Sequence, residues 1–317
     1  MNWREEVAKE QRRRIRFLNN LQTNRENREL VIAYYRTLSP EALVSFIRDM
    51  AITYDPRNVE RIDGLPKNLP FIPWPKQEEL AKKIANHYSN GLPLFIEKSR
   101  DVGGSWLMAY ILVYYWLFED SFSGGYGSLK EDKVDKLFSY DSFLEKVRFT
   151  IENLPNFLLP EGWNRTDHAP LFRIINTVNS STIIGEVGRN QGRGGRSSIY
   201  VCDEFSSLEH AKDVESSVSG NARSAIFIGT ARPNSHMAKL IKTVDNNLIF
   251  RFHWSADPRK NDVWAQKKRS GMTERAWQEE YEINWEADPG SAIVTSDMVR
   301  SSRKLRKLLE PFRHIIV

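Results

Sequence analysis

Apolar residues follow two spacings along this chain, predicting a helical beginning and then a body of strands and helices. The first apolar positions are Ile15, Leu18 and Leu21, then Leu30, Ile32 and Tyr35, on a background of Arg, Glu and Asn. That spacing predicts helix over residues 1–38. Ser39-Pro40 opens a second helix over 41–50, with proline in its first turn. Pro56, Pro66, Pro70, Pro73 and Pro75 forbid long helices across 53–75, and helix resumes over 78–87. Short apolar runs then take over. Residues 94–96 read as a strand and 106–118 as an all-apolar helix. Residues 172–178 and 181–187 alternate and meet at Asn179-Ser180 as a hairpin. Residues 198–204, 224–232 and 249–254 read as further strands. Between them, 119–136 reads as loop on its Ser-Gly-Gly-Tyr-Gly run, and Asp135-Lys136 opens a helix to Leu154. Helix is also expected over 205–218, over 257–283 with Trp264, Trp277 and Tyr281, and over the basic stretch 296–309; 312–317 resembles the opening of a strand. Strands alternating with helices give an α/β fold with a mostly parallel sheet.

Candidate chemistry sits where strands end. After 94–96 comes the loop Glu97–Ser105, then the apolar helix. Strand, glycine loop and helix in that order make a phosphate-binding layout: Gly103 and Gly104 let the backbone approach an anion, and the helix start offers free N–H groups. Against G-x-x-x-x-G-K-[ST], Ser105 fills the hydroxyl slot and Gly103 the second glycine slot. Gly104 then stands in the lysine slot and Lys98 in the first glycine slot, so the cation has moved to the strand end. A lysine stem is long enough to reach the same phosphates from there, and Arg100 adds a second cation. The run 198–204 ends in Asp203-Glu204, the acidic pair that in nucleotide hydrolases holds Mg²⁺ and polarises water. The run 224–232 ends in Gly-Thr-Ala-Arg, placing Thr230 where helicase-like motors sense the γ-phosphate. Upstream, Trp74 and Gln77 suit a base: a ring to stack and an amide to read the adenine edge. The loop 188–196 carries three arginines among four glycines and suits phosphate of nucleotide or DNA.

Composition narrows the class. A chain of 317 residues implies one large or two small domains. With 40% hydrophobic and 11% aromatic residues it is globular, not disordered. A net charge of +5 favours a polyanionic partner. The single cysteine, Cys202, excludes an internal disulfide framework and a Cys-based zinc site and points to a reducing compartment. The run 106–118 is shorter than the roughly 20 apolar residues a bilayer requires, so no membrane partner is expected.

With these motifs in hand, the sequence resembles the ATPase domain of the terminase large subunit of tailed bacteriophages over most of residues 49–294. The loop from Lys98 to Ser105 is similar to that family's deviant form, with the lysine early; Asp55-Pro-Arg57, Arg193-Gly-Gly-Arg196 and Asp257-Pro-Arg259 are also family-like. The resemblance implies a P-loop NTPase fold of the helicase/RecA-like kind, with a mostly parallel sheet flanked by helices and a small helical N-terminal region. It implies three parts: a helical 1–50, an ATPase domain over 51–294, and a linker at 295–317 leading to a nuclease absent from this sequence. ATP and Mg²⁺ are the implied ligands. The nucleotide would meet Trp74, Gln77, Lys98, Ser99, Arg100, Asp101, Val102, Gly103, Gly104, Ser105, Trp106 and Thr230. Mg²⁺ falls to Ser105 and Asp203, catalysis to Glu204 and Arg100. The implied partners are double-stranded DNA, the portal protein, the small terminase subunit and further copies in a ring, expected to be a pentamer, in the host cytoplasm. A different helicase-like nucleic-acid ATPase and a degenerate nucleotide site in an assembly protein are the alternatives; Gly104 keeps the second open.

Overall fold

A computed structural model describes residues 2–58 and 64–286. The N-terminal apolar stripes form two helices where one was expected, α1 (Trp3–Thr23) and α2 (Arg25–Tyr35). The break falls at Asn24, whose side chain accepts the Asn27 N–H and caps α2. Helix α3 (Pro40–Met50) starts on the capping Ser39. The proline-rich stretch, expected to be irregular throughout, holds a short ribbon of β1 (Ile52–Tyr54) and β2 (Asn68–Pro70). Helix α4 (Pro75–Asn90) follows and ends on Gly91 at φ 64°.

The body is one seven-stranded sheet built from β3 (Leu94–Lys98), β4 (Ser123–Ser128), β5 (Arg173–Asn176), β6 (Ser181–Val187), β7 (Ser197–Cys202), β8 (Ala222–Gly229) and β9 (Ile249–Phe252). Its order is β5-β6-β4-β7-β8-β3-β9, parallel throughout except for the β5–β6 hairpin. Period-two alternation gives each central strand two apolar faces. Leu94, Ile96, Ile199, Val201, Ile226 and Ile228 face one core, while Phe95, Tyr200, Cys202, Ala225 and Phe227 face the other. Helix α5 (Gly104–Phe118) fills the first core and is buried from Leu107 through Trp116. Helices α1–α3 pack on its far side, with Phe46 against Tyr35 and Tyr114. Helix α6 (Phe143–Glu152) belongs to this core, and α7 (Ala211–Asn221) covers the opposite face. Two short helices, α8 (Asp262–Arg269) and α9 (Glu274–Glu280), stand where one was expected across 257–283. They frame a separate cluster of Trp254, Trp277 and Tyr281. No helix among the described residues is long and apolar enough to cross a membrane. The expected elements at 296–309 and 312–317 lie outside the described residues.

One expectation fails instructively. The Ser-Gly-Gly-Tyr-Gly run is the sheet strand β4, paired with β6 and β7, not loop. Its glycines are steric necessities. A Cβ on Gly125 would stand 2.2 Å from Tyr200 Cδ2, and one on Gly127 would stand 2.3 Å from Gln191 Oε1. Side chains of neighbouring elements occupy the space that a strand's own side chains normally fill. Two helices also start late: the one expected from Asp135-Lys136 begins at Phe143, and the one expected from 205 begins at Ala211.

The two environments predict opposite signs for glycine substitutions. Gly125→Val should destabilise the fold by about 1–3 kcal/mol or more, because Tyr200 cannot move without disturbing its core. Gly220→Ala, in α7 with open space around it, should stabilise by roughly 0.5 kcal/mol. Urea denaturation of both variants checks the pair.

Candidate functional site

Parallel pairing brings the three strand-end motifs to one edge of the sheet. Glu97 pairs with Gly229 and Cys202 with Phe227, so Lys98, Thr230 and Asp203 leave the sheet within two residues of one another in register. Strand β8 lies between the other two. The Thr230 carbonyl accepts the Ser206 hydroxyl at 2.8 Å, tying this turn to the segment after Glu204.

The loop between β3 and α5 is held from both sides. On one side it is bonded to the chain's C-terminal described part. Ser99 N–H donates to the Phe252 carbonyl at 2.9 Å, and its buried hydroxyl bonds the Tyr281 carbonyl and the Trp254 N–H. The Arg100 N–H reaches the Glu280 carbonyl at 2.8 Å, and its guanidinium is paired bidentately with the Glu280 carboxylate. Ser99 and Arg100 therefore face residues 252–281, and the phosphate role expected of them would require their release. On the other side stands Gln77, which is fully buried. Its amide donates to the Val102 carbonyl at 3.0 Å and accepts the Trp74 N–H at 3.2 Å. Both ends of the group expected to read adenine are engaged with backbone. Gly103, at φ 72°, must be glycine, since a Cβ there would stand 2.8 Å from Gln77 Nε2. The stem of Lys98 bends back over the start of α5: its Cδ lies 3.7 Å from where a Gly104 Cβ would be.

A cleft of about 1110 Å³ opens beside the loop. Trp74, Gln77, Lys98, Asp101, Val102, Gly103, Gly104, Ser105 and Trp106 all line it. Ser99, Arg100, Thr230, Asp203 and Glu204 do not. At the end near Trp74, the Arg259 guanidinium lies 4.9 Å from the Trp74 ring and 5.1 Å from the Trp3 ring. One face of Trp74 is thus covered by a cation. Arg259 is fixed by Asp257, and Arg57 by Asp55, through the same clasp: two side-chain bonds at 2.9 Å and one backbone bond at 3.0 Å. The repeated Asp-Pro-Arg triplet was visible in the sequence, whereas the joint position of the two arginines at one cleft was not.

The acids sit at the tip of β7. Tyr126 of β4 donates to Asp203 Oδ2 at 2.9 Å. Burial, with Asp203 beside it, pushes the tyrosine's pKa well above its ordinary value, so it remains a donor. Glu204 takes a left-handed turn, φ 53°, and accepts the Ser128 hydroxyl at 3.1 Å. Tyr126 and Ser128 were missed because β4 was read as loop. Lys146 of α6 also lines the cleft and was missed, since nothing in its own helix marks it. The arginine-rich loop is well anchored. Glu186 accepts the N–H groups of Gly192 and Gly194, and buried Gln191 donates to the Ser128 carbonyl at 3.2 Å. Arg189, Arg193 and Arg196 remain exposed. Arg196 leads into the start of β7, a full strand from Asp203 at its end, despite their closeness in sequence. Buried Cys202, whose thiol burial pushes up, is core filler beneath these acids.

Gln77→Ala should lower stability by about 1–3 kcal/mol, because the Val102 carbonyl and Trp74 N–H lose buried partners. Thermal melting of the ligand-free protein checks this. An unchanged melt with lost preference for ATP over GTP would instead assign Gln77 to the base.

No protein-family model matches this sequence. No curated protein matches it. Solved structures do. The chain is similar to the large terminase of bacteriophage HK97, with a TM-score of 0.54 and 12% identity over 77% of this chain and 55% of that one. It is similar to the large terminase of the thermophilic bacteriophage D6E in complex with ADP, with a TM-score of 0.52 and 11% identity over 67% of this chain and 54% of that one. The D6E terminase in complex with ATP-gamma-S gives 0.50 and 12%, over 67% and 53%. The chain spans about half the length of these terminases. With its parallel sheet, its loop between β3 and α5 and its acids on a strand two places away, the chain shares the fold of these phage large terminases.

Proposed function

We propose that the chain is an ATP-hydrolysing motor that moves double-stranded viral DNA into a procapsid, the ATPase part of a terminase large subunit. The observation that carries this reading is the placement of Lys98. Its stem crosses the start of α5 at Gly104, the position where the usual loop lysine would stand, while Asp203 and Glu204 emerge at the same sheet edge. The shared fold with phage large terminases supplies the kind of motor.

The chemistry follows from the chain's own groups. Lys98 and the N–H groups opening α5 bind phosphate oxygens. The residues also suit Mg²⁺: Ser105 lines the cleft and Asp203 follows the strand two places away from β3 in the sheet, while no cluster of three His, Cys, Asp or Glu side chains occurs among the described residues. That pattern fits an ion shared between one carboxylate, one hydroxyl and substrate phosphates better than a protein-only cage. When bound, the ion would neutralise charge on the β- and γ-phosphates. Glu204, oriented by Ser128, orients and deprotonates the attacking water. Thr230, on the strand between base and loop, feels the loss of the γ-phosphate and passes it on through Ser206. DNA is gripped by its phosphates, without base readout. The portal protein, the small terminase subunit and neighbouring copies in a ring complete the machine, and a neighbour's arginine completes each site.

Two experiments test this. Glu204→Gln should lower Mg²⁺-dependent ATP turnover by about 10²–10⁴-fold while calorimetry shows ATP still bound; unchanged turnover removes the assigned role. Lys98→Met should abolish tight ATP binding, and adding Gly104→Lys to it should restore binding, because a side chain at 104 meets only the Lys98 stem in ordinary contact. Failure of that restoration with the fold intact would show that Lys98 does not substitute for the loop lysine.

A further inference from the structure

Burial lowers the pKa of three lysines among the described residues, and two of the three have hydrogen-bond partners. Lys83 donates to the Ile249 carbonyl at 3.0 Å, and Lys260 donates to the Asp101 carbonyl at 2.7 Å beside Asp257. Lys146 has none: among the described residues its ammonium makes no hydrogen bond and no ion pair. It lies 5.9 Å from the Trp106 ring, on the lining of the cleft beside the phosphate-binding loop. Its helix is fixed there by stacking. The Phe143 and Tyr126 rings lie parallel with centroids 3.6 Å apart, and the Tyr126 hydroxyl bonds Asp203. Lys146 follows Phe143 by three residues, on the same face of α6, and lines the cleft with Tyr140 and Asp141. Asp203 and Asp141 favour its charge and Lys133 opposes it, yet burial outweighs them and brings its pKa down to about 8.

An ammonium taken from water without a partner is costly, and an incoming anion would remove that cost. The loop also lacks cations. The lysine slot holds Gly104, and Arg100 is occupied by Glu280, which leaves Lys98 alone against a polyphosphate. We infer that Lys146 is a phosphate-binding residue, reaching from α6 across Trp106 to a phosphate oxygen of the bound nucleotide opposite Lys98. The inference rests on the reading of the cleft as an ATP site and adds the cation that the loop itself does not supply.

The test is calorimetric titration of the whole chain with ATP and with adenosine, in the presence of Mg²⁺. Lys146→Met, which keeps the stem against Trp106, is expected to weaken ATP about ten- to a hundredfold and leave adenosine unchanged. Lys146→Arg is expected to keep most of the ATP affinity. ATP binding by Lys146→Met as tight as the parent's overturns the inference and leaves the ATP site standing. A parent chain that binds no ATP overturns both. A second measurement needs no variant: ATP should shield Lys146 from acetic anhydride, read by peptide mass spectrometry, and equal acetylation with and without ATP counts against the contact.

Discussion

The conformation of the loop between β3 and α5 depends on what stands behind it, and that support is the burial of α5. Ten consecutive residues of this helix, Leu107 to Trp116, are buried. Each large side chain among them contributes about 1.5–3 kcal/mol by leaving water. With apolar residues all round, the helix is clamped between the sheet and α1–α3 and has no freedom to slide. Its first turn is therefore fixed relative to the ends of β3, β8 and β7. The orientation of free N–H groups, the bend of Lys98 over Gly104 and the position of Ser105 all inherit that rigidity.

Much of this was legible in the sequence because it rests on local pattern. The apolar helix, the strand ends carrying Lys98, Asp203 and Thr230, and the hairpin joining β5 and β6 each announce themselves within a dozen residues. What escaped depends on distant partners. Strand β4 was unreadable because Tyr200 and Gln191 supply the bulk that its own glycines lack, and those residues come more than sixty positions later. Gln77 was recognisable as important, but its engagement with Val102 and Trp74 follows from three-dimensional proximity alone. Lys146 carries no motif, and its place on the cleft follows from the packing of α6 into the core.

Charge at the candidate site is distributed sparingly. Arg100 is neutralised by Glu280, Arg57 by Asp55 and Arg259 by Asp257. Of the four cationic side chains on the cleft, Arg57 and Arg259 are ion-paired, and Lys98 and Lys146 are uncommitted. Glu6, Asp55, Asp101 and Asp141 line the same cleft, so like-charge repulsion among its cations is limited. The exposed arginines of the loop 188–196 are a separate group, displayed on a scaffold held by Glu186 and Gln191.

The bonds from Ser99 and Arg100 to Tyr281 and Glu280 span 182 and 180 residues of sequence. A motif that looks self-contained is thus completed by chain that leaves the ribosome much later. During synthesis the glycine loop would emerge early and wait, its amides wet and its shape undetermined, until the tryptophan-rich tail arrived to close it. Such long-range closure slows assembly relative to local structure. It also means that the shape of this loop depends on residues 280 and 281, the last of its partners to be synthesised.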